Sequence, residues 1–484
     1  TSQDKGANMD RRRFIQSTTA AGAMAMSGIT SAQDRTDQRP NLVFVVPDEY
    51  RKQAIGFWGD DPVITPNLDE FAGESCVLTD AVCAAPVCSP YRGLLMTGRY
   101  NHWTGLPTNC NTGESAADVY LRRDDRCFSD VLHDAGYSLG YIGKWHLDKP
   151  REPYVEPPRA DGKVWDEYTP TEGRHGFDFW YSYGCYDGHM TPHYWTNDTP
   201  RDEPLQFREW SPIVETNVAC DYIANANGER DPNNPFALVV AMNPPHMPFS
   251  HVPDEYKEMY GDKGWEELLT RPNVDRSLDE GMTKRAKNSV RDYFAMVTGV
   301  DDQFGRIMAA LDAQGLKDNT IVVFTSDHGE MMGSHNRMHK NVWYEESMSI
   351  PFIIRWPGRI APRRDDLLLN VPDTMPTLLE MMGCLDAVPE GVHGTSYARA
   401  LMGQEQARPE STPYLMFKPG GVRTHRYTFV KRDRNDRDPM VVLYDNQEDP
   451  YQMKNVAEER PETVTELTGE LNGWLEKLGA DWRA

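Results

Sequence analysis

Residues 42–49 read Leu42-Val43-Phe44-Val45-Val46-Pro47-Asp48-Glu49, an unbroken apolar run closed by a proline and two acids. The run is too short for a helix and lacks the polar alternation of a half-exposed strand, so it reads as a strand covered on both faces in a parallel sheet. Leu139–Ile142, Phe236–Met242, Ile321–Phe324 and Phe352–Ile354 have the same character and are expected to be buried parallel strands too. Helical patterns lie between them. Thr65-Pro66 has the form of an N-cap followed by proline at the first helical position. A long apolar stripe joins Val290, Tyr293, Phe294, Val297, Val300, Phe304, Ile307, Met308 and Leu311 before Gly315. Strands alternating with helices predict an α/β fold with a large, mostly parallel central sheet flanked by helices.

Residues 150–170, rich in proline and charge, and residues 253–290, charged and polar, are expected to be excursions over the surface of this core and to wall a binding site. After about residue 395 the pattern changes to short strands, Tyr427–Lys431 and Met440–Tyr444, a turn at Glu448-Asp449-Pro450, and a helix from about Pro461 to Leu478. The expected division is a catalytic domain over residues 40–395 and a smaller C-terminal α+β subdomain with a short antiparallel sheet over residues 396–484.

In open parallel sheets, ligands bind beyond the carboxyl ends of the strands. Those ends carry Asp48 and Glu49, then Lys144 and His146, then His246, then Asp327 and His328. A single acid or histidine after a strand is ordinarily a helix cap or a satisfied structural group. Four strands delivering acids, histidines and a lysine to one rim predict a site. The hard oxygen donors Asp48, Glu49 and Asp327 suit Ca²⁺ or Mg²⁺, and His328 moves the preference toward Mn²⁺. Cys88-Ser89-Pro90-Tyr91-Arg92 reads as a helix start, where free backbone N–H groups favour an anion and Arg92 adds a charge-assisted hydrogen bond.

Cys88-Ser89-Pro90-Tyr91-Arg92 followed by Leu95-Met96-Thr97-Gly98-Arg99 resembles the signature of the formylglycine-dependent type I sulfatases, in the alkaline-phosphatase-like superfamily. Arg39-Pro40-Asn41, Thr65-Pro66-Asn67-Leu68-Asp69, Gly143-Lys144-Trp145-His146, Asn243-Pro244-Pro245-His246, Thr325-Ser326-Asp327-His328-Gly329-Glu330 and Leu443-Tyr444-Asp445 extend the likeness over nearly the whole chain. The resemblance implies an alkaline-phosphatase-like sandwich and a Cys88 oxidised by a maturation enzyme to formylglycine, whose hydrate attacks sulfur. It implies a metal, usually Ca²⁺, held by Asp48, Glu49, Asp327 and His328 together with residue 88. Arg92 and Lys144 would hold the hydrate and sulfate oxygens, Lys340 and His246 would bind sulfate and protonate the departing sugar oxygen, and His146 would take the proton that lets the aldehyde reform. Glu49 stands where many members carry Asp, and His328 where several carry Asn.

Asp187, His189 and His193, in the aromatic stretch Tyr186–Trp195, are candidates for sugar recognition. His102, His133, His335 and His425 read as surface or structural. The leading expectation is a sulfatase acting on a sulfated carbohydrate. The alternatives are a phosphonate monoester or phosphodiester hydrolase of the same superfamily and an inactive sulfated-glycan binding protein.

With 51 Lys and Arg against 74 Asp and Glu, the net charge of −23 argues against a nucleic-acid partner. Any anion site must then be a local positive pocket. The eight cysteines lack the paired spacing of a zinc site and are too sparse for a disulfide scaffold, so most are expected to be buried thiols. Residues 1–32, with Arg11-Arg12-Arg13 before a small-residue stretch and Thr30-Ser31-Ala32, read as a twin-arginine export signal, followed by a linker over residues 33–39. The expected location is therefore periplasmic or secreted, with no membrane span in the mature chain.

Overall fold

A computed structural model describes residues 39–113, 118–434 and 437–484; the export-signal reading and all but the last residue of the linker lie outside them. Residues 39–484 form one compact unit.

The strands are, in chain order, β1 (Asn41–Val45), β2 (Cys76–Leu78), β3 (Ser138–Lys144), β4 (Phe179–Tyr183), β5 (His193–Thr196), β6 (Leu205–Gln206), β7 (Phe236–Ala241), β8 (Thr320–Thr325), β9 (Phe352–Arg355), β10 (Arg363–Asp365), β11 (Ser411–Tyr414), β12 (Pro419–Thr424), β13 (Tyr427–Arg434) and β14 (Arg437–Asp445). The first ten form one sheet in the order β10-β2-β9-β8-β1-β7-β3-β4-β5-β6. Its centre, β8-β1-β7-β3-β4, is parallel throughout.

The five apolar runs are strands, and their burial explains their composition. Alternate residues of one strand point to opposite faces. Leu42, Phe44 and Val46 enter one hydrophobic cluster and Val43 and Val45 the other, so no face is left for a polar residue. One expectation is corrected: Phe352–Arg355 is a buried strand, but it pairs antiparallel with β8, with Phe324 opposite Ile353. Burial on both faces dictates the apolar run whatever the strand direction, so composition alone does not distinguish the two pairings.

The predicted apolar stripe lies on the helix Gly281–Ala313, which buries Val290, Tyr293, Phe294, Val297, Val300, Phe304, Ile307 and Leu311 against the sheet. At about 1.5–3 kcal/mol for each large apolar side chain removed from water, this stripe fixes the helix to the sheet. Thr65 precedes the helix Pro66–Gly73 as expected, but its hydroxyl makes no cap bond; it accepts from the Gly56 N–H at 2.8 Å and donates to Asp69 at 3.1 Å.

Strands β11 to β14 form a separate antiparallel sheet in sequential order. The helix Pro461–Lys477 buries Leu467, Leu471 and Leu475 in the same cluster as Val422, Phe429 and Leu443 of that sheet. No helix among the described residues is long and apolar enough to cross a membrane.

Candidate active site

The four strands that carry the predicted residues, β8, β1, β7 and β3, are consecutive in the sheet and point the same way. Their carboxyl ends therefore meet. Asp48 and Glu49 follow β1, Lys144 ends β3, His246 follows β7, and Asp327 and His328 follow β8. Cys88 approaches the same rim as the first residue of the helix Cys88–Thr97, which ends at Gly98 in the left-handed conformation.

Cys88 Sγ lies 3.4 Å from His328 Nε2 and 3.6 Å from Asp48 Oδ1. His328 Nε2 is 3.4 Å from Asp327 Oδ1 and 3.6 Å from Asp48 Oδ1. One donor atom from each of Asp48, Cys88, Asp327 and His328 lies within 4.8 Å of the others, and all four residues are buried. Two observations fit this group to a divalent cation. His328 Nδ1 is 3.1 Å from the Gly329 carbonyl, which only accepts, so the proton sits on Nδ1 and the Nε2 lone pair faces the cluster. Asp327 Oδ2 is buried without a hydrogen bond, and burial, together with the Asp48 charge, pushes the Asp327 carboxyl far above its ordinary range. A cation there would relieve both. Cys88 Sγ marks where the oxygens of a converted residue 88 would stand.

Cations complete the surroundings. Lys144 Nζ is 2.6 Å from Asp48 Oδ2 and donates to Asn243 Oδ1 at 3.0 Å. Arg92 Nη2 lies 3.5 Å from Asp48 Oδ2 and 3.6 Å from Asp327 Oδ2, with Nη1 on the Lys144 carbonyl at 2.5 Å. Burial would raise the Asp48 carboxyl, but Lys144 foremost outweighs it and holds Asp48 well below the usual carboxylate range. The same pairing overcomes burial at Lys144 and moves its ammonium upward.

Glu49, in the left-handed region at φ 64°, turns its carboxylate to the other side of the cluster. Its oxygens face Lys340 Nζ at 3.2 Å, His339 Nδ1 at 3.3 Å and His246 Nε2 at 3.5 Å. It shares a potential donor group with Asp48 and His246 rather than with Asp327 and His328. Its backbone N–H donates to Asp327 Oδ1 at 3.0 Å.

His146 Nε2 is 3.2 Å from the Cys110 carbonyl, which places the ring proton on Nε2 and leaves a bare Nδ1. Burial holds the imidazole below its ordinary range, opposed in part by the neighbouring Cys88 thiol. A neutral ring with a free lone pair is suited to accept a proton. His246 is set the other way round: Nδ1 faces the Met247 carbonyl at 2.8 Å and Asp187 Oδ1 at 3.5 Å, leaving Nε2 toward Glu49.

The three candidates for sugar recognition separate. Asp187 contacts His246, accepts from Asn243 Nδ2 at 3.2 Å and pairs with Arg159 Nη1 at 2.5 Å. His189 is 1% exposed, with Nε2 at 2.9 Å from the His246 carbonyl, and burial lowers it to about 4. His193 is buried 2.7 Å from Asp166 Oδ2. His189 thus stands behind His246, whereas His193 packs against Asp166 and Tyr186.

The sequence reading omitted several partners. Asn243, Arg159 and His339 touch the predicted residues, and Glu330 touches His339. Asn243 and Glu330 lie within the quoted motifs, and His339 adjoins Lys340. Arg159 carries no local signal, because its contact with Asp187 is made only by folding of the 150–170 excursion. The eight cysteines are all free, and all but Cys220 are buried.

The sequence matches the protein family described as Sulfatase over residues 40–384 and that described as N-sulphoglucosamine sulphohydrolase, C-terminal, over residues 333–481. It is 42% identical to an endo-4-O-sulfatase of Bacteroides thetaiotaomicron over 92% of this chain and 93% of that protein. It is 32% identical to an ulvan-active sulfatase of Formosa agariphila, over 94% of this chain and 84% of the relative. A structure solved in work on the metabolism of multiple glycosaminoglycans by Bacteroides thetaiotaomicron is 40% identical, with a TM-score of 0.86 over 92% of this chain and 98% of that one. With Asp48, Lys144, His246, Asp327 and His328 gathered at one sheet edge, the chain belongs to the type I sulfatases of the alkaline-phosphatase-like superfamily and is a sulfuric ester hydrolase.

Proposed function

We propose that this sulfatase removes sulfate esters from an oligo- or polysaccharide, with Cys88 converted by a maturation enzyme to formylglycine and a divalent metal, Ca²⁺ in the first instance, held by Asp48, Asp327 and His328. The observation that carries the reading is the convergence of Cys88 Sγ, Asp48, Asp327 and His328 within 4.8 Å beside Lys144 and Arg92. Glu49 borders this group and is the proposed further ligand. The bound metal would supply electrostatic stabilisation of a nucleophilic oxygen and of the transferring sulfuryl group.

The chain's own groups divide the remaining work. Lys144 and Arg92 hold negative charge at the helix start, where backbone N–H groups add to their field. Lys340 binds sulfate, and His246, with Nδ1 donating to the Met247 carbonyl, would carry a second proton on Nε2 for the departing sugar oxygen. His146 Nδ1 accepts the proton released when residue 88 returns to the aldehyde and sulfate leaves. Asp187 fixes the His246 ring from behind and is the nearest of the three sugar-recognition candidates to the reacting groups, with His189 and His193 shaping the wall. Export to the periplasm or beyond, where sulfated polysaccharides are met, completes the proposal.

The test is sulfate release from a panel of defined sulfated oligosaccharides, headed by 4-O-sulfated ones because of the endo-4-O-sulfatase relative. A mass spectrum of the Cys88 peptide from active protein accompanies it. Sulfate release with the aldehyde or its hydrate at residue 88 is expected. An unmodified thiol in fully active protein overturns the mechanism, and faster turnover of phosphonate monoesters overturns the substrate class.

A further inference from the structure

The two oxygens of the buried Glu49 carboxylate face different neighbours. Oε2 is 3.2 Å from Lys340 Nζ and 3.5 Å from His246 Nε2, whereas Oε1 is 3.3 Å from His339 Nδ1. His339 is in turn held from behind. Its Nδ1 is also 3.4 Å from Glu330 Oε2, and its backbone N–H donates to Glu330 Oε1 at 2.7 Å. Glu330 Oε1 accepts a second backbone bond, from Met332 at 2.8 Å, so the carboxylate is clamped with its Oε2 toward the imidazole. The His339 carbonyl accepts from the Met331 N–H at 2.8 Å, and its ring stacks on Phe249 with centroids 6.3 Å apart. Main chain, carboxylate and aromatic ring together restrict the imidazole, with Nδ1 set between Glu49 and Glu330.

Glutamate has one more rotatable bond than aspartate, and immobilising it costs side-chain entropy. Something must select one rotamer. We propose that His339, clamped by Glu330, is a positioning residue that occupies Glu49 Oε1 and thereby turns Glu49 Oε2 toward Lys340 and His246, fixing the geometry of leaving-group protonation. The inference rests on the proposed roles of His246 and Lys340. Without the bridge, Glu49 Oε1 has lost its anchor and the aim of Oε2 at His246 Nε2 is loosened.

The experiment compares wild type, His339→Ala and Glu330→Gln, each with conversion of Cys88 checked by mass and each Ca²⁺-loaded. The two substrates are a sulfated oligosaccharide, whose alkoxide needs a proton to depart, and 4-nitrophenyl sulfate, whose phenolate does not. On the oligosaccharide kcat is expected to fall about 10²-fold with KM within about threefold, while turnover of the aryl ester falls less than about fivefold. Calorimetric Ca²⁺ titration is expected to give an affinity lowered by less than about tenfold, well short of the loss in kcat, because Asp48, Asp327 and His328 are untouched and only Glu49, the proposed further ligand, is loosened.

Equal losses on both esters, a rise in KM in place of a fall in kcat, unchanged oligosaccharide turnover, or Ca²⁺ affinity weakened in step with activity each overturn the proposal. Should His339→Ala not fold, the isosteric Glu330→Gln decides by the same readouts. Failure of the underlying functional reading looks different: wild type itself would then release no sulfate from any saccharide in the panel.

Discussion

Lys144 Nζ and Asp48 Oδ2 stand 2.6 Å apart with both side chains shut off from solvent, joining the last residue of β3 to the loop after β1 across the intervening β7. The pair sets the charge of the metal-facing carboxylate and fixes two loops at once. Breaking a buried pair by removing one partner strands the other charge. Lys144→Met is expected to lower unfolding free energy by about 3 kcal/mol in metal-free protein and to reduce sulfate release to background. Urea unfolding in the presence of chelator, alongside turnover, checks both; unaltered stability would show that Asp48 is compensated by other groups.

Removal of divalent cations should destabilise the protein as well as silence it, because Asp48 and Asp327 then face each other with an orphaned oxygen between them and Arg92. At a free cation concentration about a hundred times Kd, the expected stabilisation is about 2.7 kcal/mol. Thermal unfolding of chelated protein against a Ca²⁺ series reads it, and a melting temperature independent of Ca²⁺ would contradict the proposed ligand set.

Cys88→Ala removes a small buried thiol and the proposed nucleophile together. Turnover should vanish while the fold survives, with a stability cost of about 1 kcal/mol from the lost packing. Circular dichroism and sulfate assays on one preparation separate the two effects; measurable hydrolysis by this variant would remove Cys88 from the mechanism.

Gly143, directly before Lys144, has φ +96°, and a Cβ added there would lie 2.3 Å from the Ala241 carbonyl oxygen of β7. Backbone cannot yield as a flexible side chain can. Gly143→Ala is expected to cost about 2 kcal/mol or more and to displace Lys144 from Asp48, lowering kcat along with stability. Wild-type kinetics in Gly143→Ala would disprove that coupling.

Glu346, whose side chain is not among the metal-facing groups, supplies a pH dependence of its own. Its Oε1 accepts from Arg271 Nε at 3.1 Å, Arg271 Nη2 at 2.9 Å and Asn273 Nδ2 at 2.6 Å. Burial opposes ionisation, yet Arg271 foremost brings the carboxyl from its ordinary 4.5 down to about 2. A depressed carboxyl contributes stability that is fully present above the unfolded value and is lost as pH falls from about 4.5 toward 2. Glu346→Gln should therefore cost about 3 kcal/mol at pH 7, with the gap to wild type narrowing below pH 4.5. Paired urea titrations between pH 3 and 7 check it, and a pH-independent gap would assign the cost to packing instead.

Much of the site was legible in the sequence because parallel strands concentrate chemistry at one end. A buried run such as Leu42–Val46 announces itself by composition, and whatever polar residue follows it must stand at the carboxyl edge. Asp48, Lys144, His246 and Asp327 are found by that rule alone, and the Cys88 motif then names the family. The direction of β9 was not legible, because burial on two faces requires the same residues in either pairing.

The sequence by itself determined the α/β class, the rim residues and the family, since strand burial and motif spacing are local properties that act within a few residues of where they are written. Only the tertiary structure decided that Glu49 turns toward Lys340, His339 and His246, that His189 stands behind His246 while His193 pairs with Asp166, and that Arg159 reaches Asp187. Those outcomes depend on which charged groups share a buried volume, and Coulomb attraction and desolvation are fixed by distances between segments hundreds of residues apart, which no local pattern records.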